Sequence, residues 1–333
     1  MRKTLTSLVL VMLICGISNA NSGDKTLRYR EDGTFKIVQF ADIHWQNGDV
    51  NDIKTSKLME EILDVEKPDL VVMTGDNIAG GGCNDCKKAI LGYSKPMVDR
   101  KIPWAVTFGN HDDEGPMNRK DQMKQFQTVP FCLAKAGPED IDGVSNYYLN
   151  IYDSKGDKAK NTLYFIDSLS YAPKEIGGYA WITRKQINWY VETAGKIEKE
   201  NGRKLPALSF FHIPIPEYDQ VFDANSLGGK NEKVCCPIIN TGFFAAMLEA
   251  GDMAGVFVGH DHTNDFESTL HGIRLCYGRG SGYHTYINNG FQIGAKVIVL
   301  TEDKKDFQTW SRVLNGQKID YLKEKQAPGK SDN

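Results

Sequence analysis

The chain has 333 residues, 41% hydrophobic and 25% charged, with a formal net charge of -3. This is the usage of an ordinary globular protein able to build a sizeable core. The near-neutral balance excludes a broad basic face of the kind non-specific nucleic-acid binding needs, and there is no basic run or aromatic–basic interleaving to suggest such a partner.

At the N-terminus, Arg2 and Lys3 precede an apolar run from Leu5 to Ile17, followed by the small residues Ser18-Asn19-Ala20. This layout predicts a secretory signal over residues 1–20, cleaved after Ala20. The run is about 13 residues, short of the ~20 a spanning helix needs, so no stable membrane anchor is expected after cleavage. The expected location is secreted or periplasmic. Cleavage removes Cys15 and leaves Cys83, Cys86, Cys132, Cys235, Cys236 and Cys276. An even count in an exported chain permits up to three disulfides, with free thiols as the alternative.

Strand-like and helix-like segments then alternate without a repeat or a linker, which predicts one α/β domain over residues 21–333 with its core in 35–311. Phe35–Phe40 reads as a strand. Asp52–Glu66 reads as a helix, with Ile53, Leu58, Ile62 and Val65 on its apolar face and Pro68 closing it. Leu70–Met73 is a short buried strand, Lys87–Arg100 holds a helix, and Trp104–Phe108 is a third strand. One helix and a long loop are expected over 115–146. Tyr147–Ile151 and Leu163–Asp167 pair around a polar turn, and Thr183 caps a helix reaching Glu200. Ala207–Phe211 and Gly255–Val258 are strands on either side of a helix over Asn240–Ala250; Ile273–Tyr277, Gln292–Leu300 and Phe307–Ser311 complete the set.

The informative pattern lies just beyond these strands. Asp42 and His44 follow the first strand and Asp76 the second. Asn110 and His111 follow the third, His212 a later one, and His260 and His262 another. In open α/β sheets, sites form outside the carboxyl ends of strands, so these loops can meet in one crevice. Carboxylate, imidazole and amide oxygen without thiolate suit Zn, Mn or Fe. Seven donors (Asp42, His44, Asp76, Asn110, His212, His260, His262) exceed one tetrahedral shell and fit two ions sharing a carboxylate.

The blocks Ala41-Asp42-Ile43-His44, Gly75-Asp76-Asn77, Gly109-Asn110-His111-Asp112, Phe211-His212 and Gly259-His260-Asp261-His262 resemble those of the calcineurin-like metallophosphoesterase family. The stretches Phe211–Tyr218 and Gly259–Phe266 are similar to its purple-acid-phosphatase-29-type branch. The resemblance implies a four-layer α/β/β/α sandwich with two divalent or trivalent metal ions. Asp42, His44 and His262 would hold the first ion, Asn110, His212 and His260 the second, and Asp76 would bridge both. It further implies that His111 stands beside the phosphate as a hydrogen-bond or proton donor, with Asp112 behind it. Purple acid phosphatases carry a tyrosine three residues after the bridging aspartate. This chain has Ala79 there, so it is expected to be colourless or only weakly coloured.

The expected activity is hydrolysis of phosphate esters, phosphomonoesters above all, by a water made nucleophilic between the two ions. Phosphodiesterase or nucleotidase action on the same site is the alternative, and a non-catalytic metal-binding module the remote one. The expected partner is a small-molecule or other phosphate-ester substrate in a pocket built by loops 113–146 and 213–239. Arg279, in a glycine-rich loop, is a candidate for holding substrate phosphate. His284 is a second candidate near the site, Trp45 and Tyr218 are candidates for pocket walls, and His271 beside Gly272 is expected in a hairpin turn.

Overall fold

The structure, a computed structural model, describes residues 27–286 and 290–322. The expected signal segment lies outside the described residues. The first sheet is built on three parallel strands, β1 (Thr34–Phe40), β2 (Leu70–Thr74) and β3 (Trp104–Thr107). Helices α1 (Val50–Glu66) and α2 (Cys86–Asp99) make the crossovers between them. Every residue of β2 and β3 is buried, which is why these strands read as unbroken apolar runs instead of alternating ones. After α3 (Arg119–Phe126) comes the second sheet. It contains β4 (Tyr147–Tyr152), β5 (Ala159–Phe165), β6 (Ala207–Phe210), β7 (Met253–Val258), β8 (Glu267–Leu270) and β9 (Ile273–Tyr277). Helix α4 (Arg184–Asn201) precedes β6, and α5 (Glu217–Val221) and α6 (Phe243–Ala250) precede β7. The chain then returns to the first sheet with β10 (Gly294–Thr301), β11 (Phe307–Val313) and β12 (Lys318–Ile319).

Strand order is β12-β11-β10-β1-β2-β3 in one sheet and β4-β5-β6-β7-β9-β8 in the other. Between the sheets runs a cross-strand aromatic row: Tyr147 on Phe165, Phe165 on Phe210, Phe210 on Phe257, and Phe257 on Phe307 of the facing sheet, with centroids 4.5 to 5.5 Å apart. The period-2 alternation sends the neighbouring Tyr164, Val256 and Leu275 to the outer face, where they pack against Ile187, Tyr190 and Ile197 of α4 and Phe243 and Met247 of α6. Leu58, Met59, Ile62 and Leu63 of α1 and Ile90, Tyr93 and Met97 of α2 cover the other outer face. The result is the four-layer α/β/β/α sandwich.

Helix ends follow local rules. Asp49 caps α1 in a capping box with Asp52, and Lys67 ends it in the left-handed region with φ 48°. Thr183 and Gln186 form the same box at α4, and Gly202 ends it. The apolar face assigned to α1 needs correction. At 100° per residue Ile53 falls opposite Ile62, and it is exposed; Val65 lies at the edge and is also exposed. The inward face is Thr55, Leu58, Met59, Ile62, Leu63 and Glu66. Strand β8 escaped the sequence reading because only Glu267 and Ser268 of its four residues are buried. His271 does sit in the β8–β9 turn, at φ 47° before Gly272. The six cysteines of the described residues are free thiols.

Candidate metal centre

The carboxyl ends of β1, β2, β3, β6 and β7 open onto one place between the sheets. Backbone bonds hold them there: Asp42 N–H to Gly75 O (3.2 Å), His44 N–H to Asp76 O (2.9 Å), and Gly259 N–H to His212 O (3.0 Å). Several donors sit on unusual backbone: φ is 55° at Asp42, 46° at His44, 47° at Asp76 and 78° at His260. A Cβ on Gly109 would collide with the Asp76 carboxylate, and one on Gly259 would come 2.8 Å from Asp42 Oδ2. Bare backbone at these two glycines lets the carboxylates approach neighbouring strands.

Two groups of donors form. Ligand atoms of Asp42, His44, Asp76 and His262 lie within 4.8 Å of one another, as do those of Asp76, His212 and His260. Asp76 belongs to both. His212 Nε2 is 3.1 Å from Asp76 Oδ2, while its Nδ1–H donates to Thr74 O at 2.8 Å. That bond keeps a hydrogen on Nδ1, so Nε2 is the nitrogen that would give its electron pair to a metal in place of the hydrogen it shares with Asp76. His44 Nε2 and His262 Nε2 face each other at 3.2 Å, and His260 Nδ1 is 3.2 Å from His212 Nε2. Burial pushes His44 down to about 3 and His262 down to about 4, and it holds His260 well below its ordinary value. These rings are neutral, the form that binds metals. Burial would also lower His212, but the Asp76 charge and hydrogen bond outweigh it and raise it to about 9. Burial raises the Asp42 pKa, since a charged carboxylate is costly there without a cation.

The donors fit a pair of cations on a second count. Asn110 Oδ1 and His260 Nε2 are buried and have no hydrogen-bond partner among the described residues. Leaving such atoms unpaired costs about 1–3 kcal/mol each, a cost that coordination to a metal removes.

His111 stands at the mouth, its ring 5.5 Å from that of His44 and its backbone N–H on Asp76 Oδ1 at 2.9 Å. Its side-chain partner is Glu114, at 2.6 Å from Nδ1. Asp112, expected behind His111, instead turns back into the loops. It is fully buried and accepts from the backbone N–H groups of Gly109 (2.7 Å), Asn77 (2.8 Å) and Ile78 (3.1 Å). Arg279 likewise does not face the site. Its guanidinium is buried against Asp265, the Tyr321 hydroxyl and Gln292 O. With those donors taken, it braces the loop instead of meeting substrate. His284 is drawn to the start of α1, where Nε2 meets Asp49 Oδ1 at 3.0 Å and Nδ1 meets Gln46 at 3.1 Å. Trp45 and Tyr218 are core residues; Tyr218 donates to Val256 O at 2.9 Å.

The walls come in part from residues the sequence did not single out. A hairpin over residues 170–180, closed by the Tyr171–Tyr179 bridge, lays Tyr179 edge-on to His260 at 4.4 Å. Tyr286 stacks on His262 at 4.2 Å and donates to Glu232. Buried Arg119 ties the hairpin down, donating to Gly109 O and Ser170 Oγ and pairing with Asp167. Only Glu114, three residues beyond His111, carried a readable signal.

Residues 35–264 match the calcineurin-like phosphoesterase family. The chain belongs to that family. A protein named "Probable inactive purple acid phosphatase 29" from Arabidopsis thaliana is 34% identical over 350 residues, covering 94% of this chain and 90% of its own. "Phosphatase DCR2" of Saccharomyces cerevisiae is 34% identical over 335 residues, covering 90% of this phosphoesterase-family chain but 57% of its own. Among solved structures, a dimetal phosphatase from Danio rerio superposes with a TM-score of 0.57 at 12% identity, covering 86% of this chain and 99% of its own. A Plasmodium protein described as the anchor in the inner membrane complex does so with 0.52 at 14%, covering 86% and 89%. An anchor and a phosphatase share this fold, so activity has to be argued from the site.

Proposed function

We propose that this chain is a metal-dependent phosphoesterase that holds two cations between its sheets and hydrolyses phosphate esters, phosphomonoesters foremost. The observation that carries the reading is the convergence of carboxylate and imidazole donors from four strand ends into two groups sharing Asp76, with Asn110 Oδ1 after a fifth strand and His260 Nε2 buried and bare. In this reading Asp42, His44 and His262 would hold one ion, Asn110, His212 and His260 would hold the other, and Asp76 would be shared. The donor set suits Zn, Mn or Fe. When bound, such a pair supplies Lewis acidity toward phosphate oxygens and lowers the pKa of water.

The chain's own groups do the rest. His111, its Nδ1–H held by Glu114, donates from Nε2–H to the departing oxygen as the imidazolium, which burial opposes but the charges of Asp76 and Glu114 favour on balance. Asp76 Oδ1 accepts the His111 backbone N–H, which keeps that ring beside the shared carboxylate. Tyr179 and Tyr286 shield the imidazoles of His260 and His262 from water on either flank. The word inactive belongs to the name of a relative 34% identical to this chain; the chain itself carries all seven candidate donors and His111.

A second reading, a nucleotidase or phosphodiesterase, draws support from Tyr171 and Tyr286. They are 51% and 49% exposed, and their faces can stack a planar leaving group. Reconstitution with Zn, Mn or Fe followed by turnover of p-nitrophenyl phosphate, bis-p-nitrophenyl phosphate and nucleotides separates the two readings. A chain that holds two cations yet turns over none of these would be a metal-binding module instead. Export rests on the N-terminal pattern alone, and N-terminal sequencing of the mature protein tests cleavage after Ala20. Among the described residues no helix is long and apolar enough to cross a membrane.

A further inference from the structure

We propose that Glu114 and Tyr171 form a positioning pair that fixes the orientation of two site groups at once, the Asn110 amide and the His111 ring. The inference rests on the two-cation reading above and adds residues that the donor pattern does not contain. The Tyr171 hydroxyl lies 2.8 Å from Glu114 Oε1 and 3.2 Å from Asn110 Nδ2. Glu114 Oε2 lies 2.6 Å from His111 Nδ1. Each carboxylate oxygen of Glu114 thus serves one arm.

The polarity of both arms follows from hydrogen-bond chemistry. A carboxylate only accepts, so the single hydroxyl hydrogen of Tyr171 goes to Glu114. The lone pairs left on that oxygen face Asn110 and can be satisfied only by a donor. The amide must therefore present its NH₂ to Tyr171 and turn Oδ1 the other way. That oxygen is buried and has no other partner among the described residues. On the second arm, Glu114 demands a hydrogen from Nδ1 and so leaves Nε2 as the working nitrogen of His111. Remove the carboxylate's acceptor character and neither the amide flip nor the imidazole tautomer is specified.

The surroundings are shaped for this pair. Gly80, at φ 51°, leaves room that a Cβ would take from the Glu114 carboxylate. The hairpin carrying Tyr171 is tied to the His111 loop where Ser170 Oγ and Asp113 Oδ1 meet at 3.1 Å and Arg119 reaches both residues. Tyr171 also rests on Tyr179, with centroids 5.9 Å apart. Removing its hydroxyl alone should leave the ring in place.

The experiment uses the full chain and Tyr171→Phe, Glu114→Gln and Asn110→Ala variants. Stepwise Zn²⁺ uptake is read by competition with a chromogenic chelator, and the His111 tautomer by ¹⁵N chemical shifts. For Tyr171→Phe the first equivalent should bind as in the parent, which also reports an intact fold. The second should bind about 10- to 100-fold more weakly, in the direction of Asn110→Ala. Glu114→Gln should weaken the second equivalent and also raise the fraction of His111 carrying its hydrogen on Nε2. Unchanged second-site affinity in Tyr171→Phe together with an unchanged tautomer in Glu114→Gln would overturn the proposal while leaving the two-cation reading intact. A parent chain that takes up no cations would instead end that reading, and this inference with it.

Discussion

Asp42, His44, Asp76 and His260 all adopt positive φ, in a region where a side chain other than glycine costs of order 1–3 kcal/mol. The strain is borne where strands must end abruptly and turn a donor into the crevice. Asp76 is the residue both donor groups share, so Asp76→Asn should lose bound metal and phosphoesterase turnover together; elemental analysis and a p-nitrophenyl phosphate assay check this. His111 lies outside the donor groups, and His111→Ala should keep its metal while turnover falls on the order of 100-fold or more. Gly109→Ala should behave like the Asp76 variant, because the new methyl group takes the carboxylate's place. At this scale the candidate donors were legible from sequence, since each stands shortly after a buried strand. Their supporting bonds were not. Asp112 follows His111 and looks like its partner, yet three backbone N–H groups compete for that carboxylate and win it.

Elements place these residues by ordinary means. Caps at Asp49 and Thr183 were within reach of local rules, and Thr183→Ala should cost about 1 kcal/mol in urea denaturation by freeing the first turn of α4. The end of α1 is held less locally. Glu66 accepts from Arg312 Nε at 2.6 Å, Trp310 Nε1 at 2.9 Å and Lys36 Nζ at 3.1 Å, tying the helix to β11 and β1. Burial alone would raise the Glu66 pKa, but these three bonds outweigh it and hold it below the ordinary 4.5. A depressed carboxyl value means the unfolded chain takes up the proton more readily. The stabilisation is therefore complete above about pH 4.5 and is lost as pH falls through the folded value. Glu66→Gln should cost about 2 kcal/mol at neutral pH, and the gap from the parent should narrow as urea melts are repeated toward pH ~3. The misplaced face of α1 belongs here too. A four-point apolar pattern admitted Ile53 and Val65, whereas Thr55 and Glu66 are the residues turned inward.

For the whole molecule, the candidate metal centre is also a joint between sheets, since β1, β2 and β3 supply part of the candidate donors and β6 and β7 the rest. Cations that bind only the folded chain stabilise it by mass action, about 2.7 kcal/mol per site at 100 times the dissociation constant. Chelation should therefore lower the thermal midpoint, and Asp76→Asn should remove most of that dependence; calorimetry with and without Zn²⁺ checks both. The same joint explains the buried loop at Arg279. Ser281 N–H donates to Ala41 O at 2.9 Å and Gly282 N–H to Asp42 O at 3.1 Å, so this segment locks the end of β1 to the second sheet, and the guanidinium–Asp265 pair holds it from within.

What the amino-acid order determined by itself is the alternating α/β plan and the set of candidate donors, because strand burial, helix capping and ligand chemistry are written in short stretches. The tertiary structure alone decided who pairs with whom. Tyr171 reaches Glu114 across 57 positions, His284 reaches Asp49 across 235, and Arg279 turns inward to Asp265. Such partners depend on where chain crossings bring polar groups out of water together. Once buried, each group takes the nearest acceptor or donor that satisfies it, whatever its distance along the chain.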